Sequence, residues 1–125
     1  MKKIEAIIRE ERLENVKRAL EDGGYYAMTV TEVSGRGEQR GLTLPWRAGE
    51  YRVDLLPKIK LEIVAQDKEV DIIVKAICEN AKTGEIGDGK IFIIPVENAI
   101  RVRTGEDGNK AINKIEHKKA EATTK

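Results

Sequence analysis

The stretch Thr83-Gly84-Glu85-Ile86-Gly87-Asp88-Gly89-Lys90-Ile91-Phe92-Ile93 sets glycines and a lysine where a helical pattern ends and a strand pattern begins. Glycine admits backbone angles that side chains forbid, so several N–H groups can converge on one anion while Lys90 adds a point charge. Neither the phosphate loop G-x-x-x-x-G-K-[ST] nor the dinucleotide fingerprint G-x-G-x-x-G is matched. On these residues alone, a tight connection in which Gly84 stops a helix is an equal alternative.

Working outward, Lys90–Val96 is almost continuously apolar, which predicts a strand central to its sheet. On the other side, Val70, Ile73, Val74, Ile77 and Ala81 form one apolar stripe of a helix that Asp67 is placed to cap. The strand before it, Leu55–Ala65, turns Ile59, Leu61 and Ile63 one way and Lys58, Lys60, Glu62 and Val64 the other.

Nearer the start, residues 2–9 alternate as a strand with Ile4, Ala6 and Ile8 on one face and Ile7 on the other. Leu13, Val16 and Leu20 follow at helical spacing within Glu11–Asp22, and Gly23-Gly24 end that helix. A second strand runs from Tyr26 to Gly35. The order is β-α-β-β-α-β, an α+β ferredoxin-like arrangement over residues 1–108. A long interaction loop, about residues 37–55, interrupts it after strand two. Segment Glu97–Arg103, if extended, puts Arg101 and Arg103 on one face, and residues 109–125 read as a polar, frayed C-terminal tail.

A chain of 125 residues is one domain. Its 23 basic and 22 acidic side chains nearly cancel, so no global field calls for nucleic acid or an anionic membrane, and any phosphate site is local. Aromatics make up 4%, too few for a base-stacking platform. No run approaches membrane-spanning length and the start carries no apolar signal region, which predicts a cytoplasmic protein without direct membrane insertion. The lone Cys78 is expected as a buried thiol in a reducing compartment. Nucleophilic catalysis finds no Ser-His-Asp set, and the single His117 lies in the tail, so the chain is not read as an enzyme.

These pieces together resemble the PII family of nitrogen-regulatory signal transducers from Met1 to about Gly108. Residues 83–93 fit its second signature. Met28-Thr29-Val30-Thr31-Glu32-Val33, Val53-Asp54-Leu55-Leu56-Pro57-Lys58 and Arg101-Val102-Arg103-Thr104-Gly105 also match. The resemblance implies a homotrimer whose sheets face inward, with ATP or ADP bound in the clefts between subunits. It places Gly87, Asp88, Gly89 and Lys90 at phosphate with Arg101 and Arg103, from one subunit or its neighbour. It also places Ile7, Thr29, Glu62 and Val64 near adenine and ribose, and Gly35 and Gly37 at the base of the loop.

The second implied ligand is 2-oxoglutarate, held by Lys58, Gln39, Gly41 and Gly87, with Gln39 offering its amide oxygen to a magnesium ion shared with ATP. The implied partner is an ammonium channel, or an enzyme or regulator of nitrogen metabolism, contacted through the long loop. Tyr51 keeps the position that some members modify, although its surroundings, Trp46-Arg47-Ala48-Gly49-Glu50, depart from the first signature. Glu10 and Ala27 replace a usual proline and glycine. Glu38 stands where an arginine is common, and a carboxylate there repels phosphate. The alternative is therefore a same-fold sensor of ATP, ADP or AMP that has lost 2-oxoglutarate sensing. Without the resemblance, Lys58 is a solvated charge, Arg101 and Arg103 pair with Glu97 or Glu106, Tyr51 is an exposed loop residue, and Trp46 is an apolar anchor.

Overall fold

Period-two alternation makes Lys2–Arg9 a strand, β1, with Ile4, Ala6 and Ile8 buried and Lys3, Glu5, Ile7 and Arg9 on the opposite face. The computed structural model describes residues 1–36, the backbone of residues 42–46 and 49–53, and residues 55–113. A tight turn, Glu10–Arg12, leads into helix α1, Leu13–Asp22, which buries Val16 and Leu20 one helical turn apart. Gly24 takes φ +88° beyond the helix end, and the Tyr25 N–H bonds back to the Leu20 carbonyl at 2.8 Å. That reversal swings the Tyr25 ring into the core and brings Met28 against it. Strand β2 consequently spans Thr29–Gly35, starting three residues later than alternation from Tyr26 predicts.

Within the stretch read as an extended loop, the backbone forms a hairpin instead. Strand β3, Leu42–Trp46, pairs antiparallel with β4, Gly49–Val53, from Leu42 opposite Val53 to Trp46 opposite Gly49. Only residues 47 and 48 separate the strands, the shortest common hairpin connection. Strand β5, Leu56–Ala65, follows; a turn at Asp67–Glu69 then opens helix α2, Val70–Ala81. Val70, Ile73, Ile77 and Ala81 are its buried stripe. Strand β6, Gly89–Pro95, and a short helix α3, Asn109–Ile112, complete the described elements. The helix α3 lies inside the segment read as a frayed tail.

The main sheet runs β2-β5-β1-β6, antiparallel throughout, with Glu5 opposite Glu62 on one side and Phe92 on the other. Helices α1 and α2 cover one face, where Ile4, Ile8, Leu61 and Ile63 meet Val16, Leu20, Ile73 and Ile77. The other face presents Ile7, Val64 and Phe92 among Lys3, Glu5, Lys60 and Glu62, a mixed surface rather than the uniformly apolar one that an inward-facing sheet suggests.

Four expectations are corrected. The strand β6 is an edge strand, not a central one, and Phe92, Ile93 and Ile94 are exposed. Its apolar run signals a need for cover that one chain does not supply. Asp67 makes no helix cap; its carboxylate lies 2.7 Å from the Met1 ammonium, a stronger, charge-assisted partner. Cys78 is exposed, because one residue beyond Ile77 rotates about 100° off the buried stripe. Residues 102–104 form a turn rather than an extended strand. The Gly105 N–H bonds to the Arg101 carbonyl at 2.7 Å and the Arg101 N–H to the Glu106 carbonyl at 2.8 Å, so Arg101 and Arg103 do not share a strand face.

Candidate functional site

The glycine-rich connection between α2 and β6 is shaped by one carboxylate. Asp88 accepts from the Thr83 N–H at 2.8 Å, the Thr83 hydroxyl at 2.5 Å, the Gly84 N–H at 2.9 Å and Arg9 Nε at 2.9 Å. The Thr83 hydroxyl first, and Arg9 next, hold that carboxyl well below the ordinary range. Asp88 was predicted as a nucleotide contact; its carboxylate turns back into the loop and sets the loop's form. Arg9 also donates from Nη2 to the Ile86 carbonyl at 2.8 Å. From β5, Lys58 Nζ donates to the Gly87 carbonyl at 2.6 Å. Gly87 has φ +103° and Gly89 φ +110°. At Gly89 a Cβ would fall 1.8 Å from the Ile7 carbonyl oxygen, so only glycine fits where the loop joins β1.

These groups surround a cavity of about 430 Å³ at one end of the sheet. Of the residues predicted from sequence, it gathers Ile7, Gly35, Lys58, Gly87, Asp88, Gly89 and Lys90. Arg36, Glu85, Ile86 and Phe92 also line it and were not predicted. The basic groups Lys58, Lys90 and Arg36 against the backbone of two positive-φ glycines, Gly87 and Gly89, make a fitting receptor for a polyanion.

The remaining described candidates lie elsewhere. Thr29, Glu62, Val64 and Arg101 line a second cavity, of about 570 Å³, that shares no lining residue with the first. There Lys3 Nζ lies 2.9 Å from the Glu62 carboxylate and 3.5 Å from that of Glu5. The hydrogen bond between them lowers the Glu62 carboxyl and raises the Lys3 ammonium. The Tyr25 hydroxyl donates to Glu69, and burial, with that bond, pushes the phenol up to about 12. Arg101 Nη2 donates to the Lys110 carbonyl at 3.0 Å and the Ala111 carbonyl at 3.4 Å, while Nε stands 3.8 Å from Glu106. Gln66 reaches Asn113 across the same cavity.

Arg103 lines neither cavity. Gly37, Glu38, Gln39 and Gly41, and the side chain of Tyr51, lie outside the described residues. Among the described residues no group of three or more His, Cys, Asp or Glu is placed to hold a metal. Nor is any helix there long and apolar enough to cross a membrane. Sequence reasoning passed over Arg9, whose signal was its place on the polar face of β1 beside Lys58, its register partner on β5.

The family model described as nitrogen regulatory protein P-II matches residues 1–106. A protein of Methanothermobacter thermautotrophicus, nitrogen regulatory protein P-II 2, is 58% identical over 112 residues, covering 90% of this chain and 97% of its own. The nitrogen regulatory protein P-II of Pasteurella multocida is 55% identical over 112 residues, 90% of this chain and all of its own, and that of Nostoc punctiforme 54% over the same span. With the glycine-rich connection, the four-stranded antiparallel sheet and this match across nearly the whole chain, the protein belongs to the P-II family of nitrogen regulatory proteins.

Proposed function

We propose that this P-II protein is a cytoplasmic homotrimer of ferredoxin-like subunits that binds ATP or ADP, and 2-oxoglutarate with magnesium, between subunits. It reports that state to an ammonium channel or a nitrogen-metabolism enzyme or regulator through residues 37–55. The observation that carries the reading is the division of the candidate residues between two cavities on one chain. Phosphate-directed groups, Lys58, Lys90 and the glycine backbone, are in one; Thr29, Glu62, Val64 and Arg101 are in the other. Two copies of the chain, meeting first cavity to second, present both sets to a single nucleotide, as a rotationally symmetric assembly allows. The exposed apolar residues of β6 and the mixed sheet face favour such an assembly.

In this arrangement the loop amides and Lys90 receive phosphates, Glu62 and Thr29 face the ribose and base, and Lys58 exchanges the Gly87 carbonyl for the distal carboxylate of the keto acid. Magnesium, when bound, would be held in part by the Gln39 side-chain oxygen and would supply a hard cation suited to oxygen ligands. Such linkage is reciprocal and is commonly worth about 1–3 kcal/mol.

Calorimetric titration of 2-oxoglutarate with magnesium, under saturating ATP and then saturating ADP, tests the ligands, and sedimentation equilibrium tests the trimer. Keto-acid binding only with ATP supports the coupled sensor. Nucleotide binding without keto acid in either titration establishes an adenylate-only sensor, the reading Glu38 favours. A monomer at working concentration overturns the shared site.

A further inference from the structure

We infer that Arg9 is a positioning residue for the candidate phosphate site: its guanidinium fixes the glycine loop to strand β1 from outside the cavity, so that the loop amides stand ready before ligand arrives. The inference rests on the nucleotide reading of that cavity.

Arg9 itself does not line the cavity, whereas both groups it holds, Ile86 and Asp88, do. Its planar fork spans two residues of the loop, with Nε on Asp88 Oδ1 at 2.9 Å and Nη2 on the Ile86 carbonyl at 2.8 Å. An ordinary surface ion pair does little because both partners are mobile. Here neither is: Asp88 accepts three further bonds from Thr83 and Gly84, and Arg9 sits at the end of a strand paired on both sides. The contacts within Thr83–Asp88 curl the loop locally, whereas Arg9 and Lys58 reach it from distant strands.

The two grips are not equivalent. Lys58 is the group assigned to a ligand, so it leaves the Gly87 carbonyl when that ligand binds; Arg9 has no such second task and remains. It therefore carries the register of the loop through the exchange. A loop already fixed forgoes the ordering cost on binding, which is how a residue without ligand contact raises affinity. Lysine cannot copy the arrangement, since one ammonium does not reproduce two divergent N–H donors.

The experiment is titration of magnesium-ATP into the full chain carrying Arg9→Met, Arg9→Lys, Asp88→Asn and the Arg9→Met/Asp88→Asn pair, with amide NMR of the unliganded proteins. Loss of charge-assisted bonds of this type predicts affinity weaker by roughly tenfold in Arg9→Met, partly recovered in Arg9→Lys. The double variant should be no weaker than the worse single variant, because the two residues act as one unit. Shifted Gly87 and Gly89 amide resonances with an unchanged melting temperature would separate positioning from general loss of stability. Wild-type affinity in Arg9→Met overturns the inference. Equal weakening in Arg9→Met and Arg9→Lys with a lowered melting temperature also overturns it, in favour of a structural role. Failure of the unaltered chain to bind nucleotide overturns the nucleotide reading itself, and the inference with it.

Discussion

The ammonium of Lys58 and the carbonyl oxygen of Gly87 lie 2.6 Å apart, joining strand β5 to the glycine loop at a lysine only 9% exposed. A cation this sheltered needs an oxygen partner, and the loop supplies one. Replacement of that carbonyl by a ligand carboxylate is chemically even-handed, which makes the lysine suited to exchange.

Lys58→Ala is therefore expected to abolish 2-oxoglutarate binding while nucleotide still binds. Stability should fall by about 1.5–3 kcal/mol, the usual worth of a hydrogen bond involving a charged group. Calorimetry for both ligands and a urea titration check this. Normal binding of the keto acid by the variant removes Lys58 from the site.

Two glycines in the same cavity should respond oppositely. Gly89→Ala forces a Cβ to within 1.8 Å of the Ile7 carbonyl at φ +110°, which costs roughly 3 kcal/mol or unpairs the first residues of β6 from β1. Gly35→Ala meets nothing nearer than Lys58 Cγ at 3.8 Å, an ordinary contact, and should change stability by less than about 0.5 kcal/mol. Denaturant midpoints of the two variants decide between steric demand and mere glycine preference.

Tyr25 sets an alkaline limit. Its phenol is raised from 10.0 to about 12 in the folded chain, by burial and by its bond to Glu69. A raised value means that its contribution is fully present below pH 10 and is lost as pH climbs through about 12. Tyr25→Phe should cost about 1 kcal/mol at neutral pH through the lost bond and flatten the decline above pH 10. Thermal melts of both proteins across that range measure it. Parallel declines would place the alkaline sensitivity elsewhere.

Much of the sheet was legible from local pattern. The faces of β1 and β5 were correctly assigned because alternation is a property of the backbone and needs no partner. The position of β6 was not, since an apolar run demands burial without naming what buries it: Ile93 and Ile94 read as central and stand at the edge. The hairpin Leu42–Val53 escaped because Pro45 breaks the strand pattern and Arg47-Ala48 are not the usual turn residues. Asp67 had the chemistry of a cap, and only the fold brings the Met1 ammonium within its reach.

The candidate site divides in the same way. Gly87, Asp88, Gly89 and Lys90 adjoin in sequence, and their grouping was visible. That Ile7 and Gly35 join them, while Thr29, Glu62, Val64 and Arg101 go to another cavity, depends on strand order, which spacing does not encode. Arg101 and Arg103 parted because a turn intervened where an extended strand was assumed.

The contact between Arg9 and Asp88 spans 79 positions, and that between Arg9 and Ile86 spans 77. Closing so long a segment is slow compared with forming α1 or α2, and it happens only when the first strand meets the last strand of the sheet. The glycine loop thus gains its fixed form late, after local helices can form, so under the proposed function a nascent or partly folded chain lacks the ordered phosphate receptor. Folding itself acts as the checkpoint: under the proposed function, a chain that can answer to a nucleotide is one whose first and last sheet strands have already been paired.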